Sequence, residues 1–149
     1  MQVAIEMIFG RSSAFYQEIY ENGWIDESYS ADFSMEQGYG FTMIGSDTVN
    51  PTELNDKIKE TIKHFASNWS VEEQDLQRIV RKKIGFFLRA LNSIEYIANQ
   101  FTRYSFNDMN LFDVVPALEK LTMDQVKSAF LSLADEDAHT VFTILPFEK

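Results

Sequence analysis

The chain has 149 residues, 13 basic against 23 acidic side chains for a formal charge of −10, no cysteine, and 45% hydrophobic with 14% aromatic content. That length is one domain or a piece of one, with enough apolar area to bury a core. The negative charge repels phosphate backbones and anionic lipid surfaces, so nucleic acid and membrane are not expected partners. The lack of cysteine excludes disulfides, Cys-ligated zinc, iron–sulfur clusters and thiol catalysis, and it fits a reducing cytoplasm.

The chain opens in helical pattern at Met1–Phe9 with no basic stretch before the apolar residues, so no signal peptide is expected. Val3, Ala4, Met7 and Ile8, then Phe15 and Ile19, predict two helices, or one broken at Gly10, over residues 1–22, with Gly23 as the stop. Tyr29, Ala31, Phe33 and Met35 alternate with polar residues, and Tyr39, Phe41 and Met43 resume the alternation after Glu36-Gln37-Gly38. This predicts an antiparallel hairpin with both sets on one packed face.

Asn50-Pro51-Thr52-Glu53 carries three helix-start signals, and Leu54, Ile58, Ile62, Phe65 and Trp69 form the stripe that follows. Ser70-Val71-Glu72-Glu73 reads as a capping box opening a longer helix to about Tyr104, bent near Gly85 or Asn92. Leu111 to Leu121 is helical, with Pro116 as a kink or a first-turn residue. Thr122-Met123-Asp124-Gln125 is another capping box, and Thr140 to Leu145 reads as a closing strand ending at Pro146. The longest apolar runs fall far short of the ~20 residues that span a bilayer. Strands and helices are segregated, which predicts an α+β fold: an antiparallel sheet with helices packed on one face, in a single domain over 1–149.

No active site is recognisable from chemistry alone. His64 and His139 are the two histidines, and neither has a second histidine within two helical turns, so no zinc helix is expected. Glu60 four residues before His64 is a surface contact by its spacing. Asp135-Glu136-Asp137 lacks the alternation, glycine and distal glutamate of a calcium loop and reads as a solvated turn. Ser12-Ser13 lacks a nucleophile elbow and reads as a helix cap. Arg78, Arg81, Lys82, Lys83 and Arg89 are the one basic cluster, read as a solvated helix face, with an acidic partner surface as the alternative.

The run Gly10-Arg11-Ser12-Ser13-Ala14-Phe15-Tyr16-Gln17-Glu18-Ile19-Tyr20-Glu21-Asn22-Gly23-Trp24-Ile25 resembles the non-catalytic repeat domain of the pitrilysin/insulinase family of zinc metallopeptidases, which includes the mitochondrial processing peptidases. Phe41–Asp47 with Pro51 and Leu54, Val71–Leu76, and Leu121–Val126 follow in family order, so the resemblance covers essentially the whole chain.

The resemblance implies a partner domain that helps close a chamber over a peptide, with zinc held in a separate catalytic domain or subunit and none in this chain. Some members place an Arg and a Tyr of such a domain on the substrate; Tyr20 falls at the Arg position here and Asp26 near the Tyr position. These two, with Tyr16, which pairs with Tyr20 as the exposed aromatics of the helix end that the resemblance turns to the chamber, are the candidate substrate-binding residues, with no catalytic or metal-binding residue. The resemblance also implies sheet strands preceding residue 1, so that the chain reads as a partial domain whose open sheet edges lead to self-association. A structural subunit of a catalytically inactive member, and an unrelated α+β binding module, are the alternatives.

Overall fold

The computed structural model describes residues 1–36 and 38–145. The first helix, α1 (Gln2–Phe9), buries Val3, Ala4, Ile5, Met7, Ile8 and Phe9, apolar nearly all round as a central helix must be. Around it lie α2 (Ala14–Glu21), the hairpin β1 (Ser30–Glu36) and β2 (Tyr39–Gly45), α3 (Pro51–Ser67), α4 (Glu73–Ala90), α5 (Ile94–Phe106), α6 (Val114–Glu119) and α7 (Met123–Leu131), with short 3-10 turns at Leu111–Asp113, Ser132–Ala134 and Glu136–Ala138. α1 packs against β1, α4, α7 and α2. Among the described residues, seven α-helices and a two-stranded antiparallel sheet make the fold α+β as predicted.

Gly10 separates the first two helices. A Cβ there would sit 2.2 Å from the Glu6 carbonyl oxygen, so only glycine lets the chain turn this tightly off α1. Ser13 then caps α2, its hydroxyl accepting from the Tyr16 N–H at 3.1 Å. The far end closes with Gly23 at φ +67, while the N–H groups of Gly23 and Trp24 donate to the carbonyls of Tyr20 and Ile19. This is the paired hydrogen bonding of a glycine-terminated helix.

The core is aromatic at its centre. Phe130 of α7 lies 5.6 Å from Trp69, 6.3 Å from Phe65 and 6.5 Å from Phe9, and Phe9 meets Phe15 edge-on at 4.9 Å. Ile5, Ile19, Leu76 and Ile79 complete the region.

Four expectations change. Phe33 pairs with Thr42 and Ala31 with Ile44 in the hairpin, so Thr42 and Ile44 follow Ala31 and Phe33 toward the helices. Tyr39, Phe41 and Met43 lie on the opposite, exposed face beside Glu36, Ser34 and Asp32. The predicted alternation runs the same parity through the turn, whereas pairing Glu36 with Tyr39 puts those two on one face and reverses it. The long helix is broken, not bent: α4 ends at Ala90, and Ser93 caps a separate α5 by accepting from the Tyr96 N–H at 3.2 Å. Ser70 makes no capping box, because α4 begins three residues later with Glu72 as its N-cap. Residues 140–145 are exposed and form no strand: they pair with neither strand of the hairpin, and a strand needs a partner for its backbone groups. The predicted end of that strand at Pro146 lies outside the described residues.

Candidate functional site

Tyr16 and Tyr20 stand one turn apart on α2 and form a unit. Their rings stack at 5.7 Å with 13° between planes, and Tyr16 also meets Tyr29 edge-on at 5.3 Å. Tyr29 is buried and its hydroxyl donates to the Phe9 carbonyl at 2.7 Å. Burial pushes its phenol up, the Tyr16 hydroxyl adding to the effect. A gradient results: Tyr29 in the core, Tyr16 half-buried on the rim, Tyr20 with 53% of its surface in water. Lys57 of α3 bridges to Glu18 at 2.7 Å and holds the polar side of α2 against α3.

Asp26 belongs to the neighbouring turn. Its carboxylate accepts from the Ser28 N–H at 2.8 Å and from the Ser46 hydroxyl at 3.5 Å, and these hydrogen bonds, Ser28 first, hold it below the usual carboxylate range. The Asp47 N–H donates to the Ser28 hydroxyl at 2.7 Å, and the Arg11 guanidinium donates to the carbonyls of Glu27 and Tyr29. The turn before β1 is thus clasped to the residues after β2. Asp26 shares no hydrogen bond with the two tyrosines among the described residues, so the structure joins Tyr16 to Tyr20 and places Asp26 in a clasp beside them.

Arg11 and Ser46 are positioning residues that sequence reading missed. Arg11 follows a helix-ending glycine, the only local hint, and its acceptors lie 16 and 18 residues away. A shallow groove lined by Glu36, Tyr39, Phe106 and Asn107 lies between the hairpin tip and the end of α5, where Arg103 pairs with Glu36.

The two histidines make separate contacts. His64 packs edge-on against Phe65, and the His139 Nε2–H donates to the Leu133 carbonyl. Glu60 contacts Lys57, not His64. Among the described residues no group of three or more His, Cys, Asp or Glu could hold a metal ion, so the residues present do not fit a catalytic zinc, which takes three protein ligands. No helix among them is long and apolar enough to cross a membrane.

The family model described as "Peptidase M16 inactive domain" matches residues 1–83. The chain belongs to the M16 peptidase family, the pitrilysin/insulinase group that its sequence resembles, and the matched domain is the inactive one. It is 46% identical over 146 residues to "Uncharacterized zinc protease YmfH" of Bacillus subtilis (strain 168), covering 98% of this chain and 34% of that protein. It is also similar to the crystal structure of an M16-like peptidase from Alicyclobacillus acidocaldarius, with a TM-score of 0.79 and 23% identity over 88% of this chain and 31% of that one, a likeness of fold. The chain spans about a third of the length of these two relatives.

Proposed function

We propose that this chain is the non-catalytic, substrate-enclosing domain of a zinc-dependent peptidase, residues 1–149 forming part of one such domain. The observation that carries the reading is the match to the family's inactive domain, supported by similarity to a zinc protease along almost the whole chain. On this reading zinc and the water it activates sit in a catalytic domain or subunit outside these residues, in the cytoplasm. This chain closes over an extended peptide. The stacked Tyr16–Tyr20 pair offers apolar contact to a peptide side chain, and Asp26 presents a carboxylate fixed in orientation at the adjoining turn. The open edges of β1 and β2 can add a peptide strand through main-chain hydrogen bonds.

Tyr20→Ala in the polypeptide carrying this domain should lower kcat/KM for a peptide by about threefold to tenfold, the range of one aromatic contact, and leave Tm nearly unchanged. A fall in Tm of several degrees with unaltered turnover would move Tyr20 from the substrate to the fold.

The same open edges support self-association of the 149-residue chain by itself. Sheet edges present unpaired N–H and C=O groups, and the exposed Phe41 and Met43 of β2 add apolar area. Sedimentation equilibrium should give a mass that rises with concentration. A constant 17.3 kDa would contradict it.

A further inference from the structure

One flank of α4 loses its cover halfway along the helix, while Phe87, in line with Leu76, stays buried. Ile79 and Phe86 are seven residues apart, so they share one side of the helix to within about 20°; Ile79 is 0% exposed and Phe86 75%. α5 continues the anomaly. Its 13 residues bury none, although Ile94, Ala98 and Phe101 recur at helical spacing on its outer side, with Ile94 at 85% and Phe101 at 51% exposure. It packs on the 3-10 turn at Leu111–Asp113, whose Leu111 is buried outside the main core, and Arg103 ties it to Glu36 of the hairpin. Exposed apolar rows of this length mark interaction surfaces.

Charge narrows the occupant. Residues 78–89 carry five cations and no carboxylate, while the rest of the chain carries eight cations against 23 carboxylates, a charge of −15. Arg78 pairs with Asp75 and Lys82 with Glu6, but Arg81 and Arg89 have no partner among the described residues, and Arg89 lines a groove with Phe86 and Ala90. A second copy docked symmetrically on this face would bring two strips of five cations together, which like-charge repulsion disfavours. The relatives supply another source of cover, since about two thirds of their length lies outside the region this chain matches.

We infer that the face formed by Phe86 and Ala90 of α4 with Ile94 and Phe101 of α5 docks the remainder of an M16 polypeptide, through an apolar surface whose rim brings a carboxylate to Arg89. The inference rests on the reading of the chain as one domain of a longer peptidase.

The test uses that whole polypeptide, stripped of other cysteines, with Phe86→Cys or Phe101→Cys and a maleimide probe. Both cysteines should label more slowly in the native protein than in denaturant by more than about tenfold, the protection of an interface that opens only locally, and independently of protein concentration. Adding Arg89→Glu to the Phe86→Cys protein should restore most of the labelling rate, and Arg89→Lys should not. Labelling near the denatured rate, protection that vanishes on dilution as a second copy would give, or indifference to Arg89→Glu each overturns the inference. Turnover of a peptide in the same preparation separates the two readings: protected cysteines in an inactive protein would sink the peptidase reading alone, and unprotected ones in an active protein the docking face alone.

Discussion

Tyr29 links the candidate site to the core and carries a pH signature. Its hydroxyl donates to the Phe9 carbonyl, and burial raises its pKa in the folded state. A tyrosine in the unfolded chain loses its proton near pH 10, so above that pH the unfolded state binds one proton fewer than the native state. Stability is then present below about pH 10 and falls as pH rises, by up to about 1.4 kcal/mol per pH unit from this group. Denaturant melts across pH 9–11 should show that slope, flattened in Tyr29→Phe. The same variant should cost about 1–3 kcal/mol at pH 7, because a buried acceptor loses its donor. Phe130→Ala should cost about 3–5 kcal/mol, the usual loss for a buried phenylalanine, since Phe130 touches Phe9, Phe65 and Trp69. Helical spacing makes Phe15, Ile19 and Phe130 legible as core. The Tyr29–Phe9 bond and the Asp26–Ser46 clasp are illegible, because each joins partners 20 residues apart through contacts that no local pattern encodes.

Elements with self-contained signals are read correctly, and those that need a distant partner are not. Thr122 and Ser70 begin the same capping pattern. Thr122 closes a full box with Gln125, whereas Ser70 lies before a helix whose first turn starts at Glu73. Thr122→Ala should therefore lower stability by about 1 kcal/mol, and Ser70→Ala should stay within about 0.5 kcal/mol, both measurable by urea unfolding. A loss at Ser70 as large as at Thr122 would place the start of α4 earlier. The hairpin was legible as a pair of strands, but its inward face depended on how Glu36 meets Tyr39 across the turn. The apolar run Val141–Leu145 has strand composition but pairs with neither β1 nor β2, and composition alone does not supply a pairing.

At the scale of the molecule, the segregated order of helices and strands gave the α+β class, and motifs individually weak gave the family through their order along the chain. Ile94 and Phe101 keep helical spacing in the sequence, yet a stripe that is covered and one left open look alike until the packing is known. On the proposed reading this domain serves a zinc peptidase without supplying its metal or its chemistry. Zinc content and peptide turnover, measured side by side on the 149-residue chain and on the polypeptide that contains it, test this most directly. The longer polypeptide should hold stoichiometric zinc and cleave the peptide, and the chain alone should do neither. One zinc per 149-residue chain, lost in a His64→Ala and His139→Ala double variant, or peptide cleavage by that chain, would contradict it.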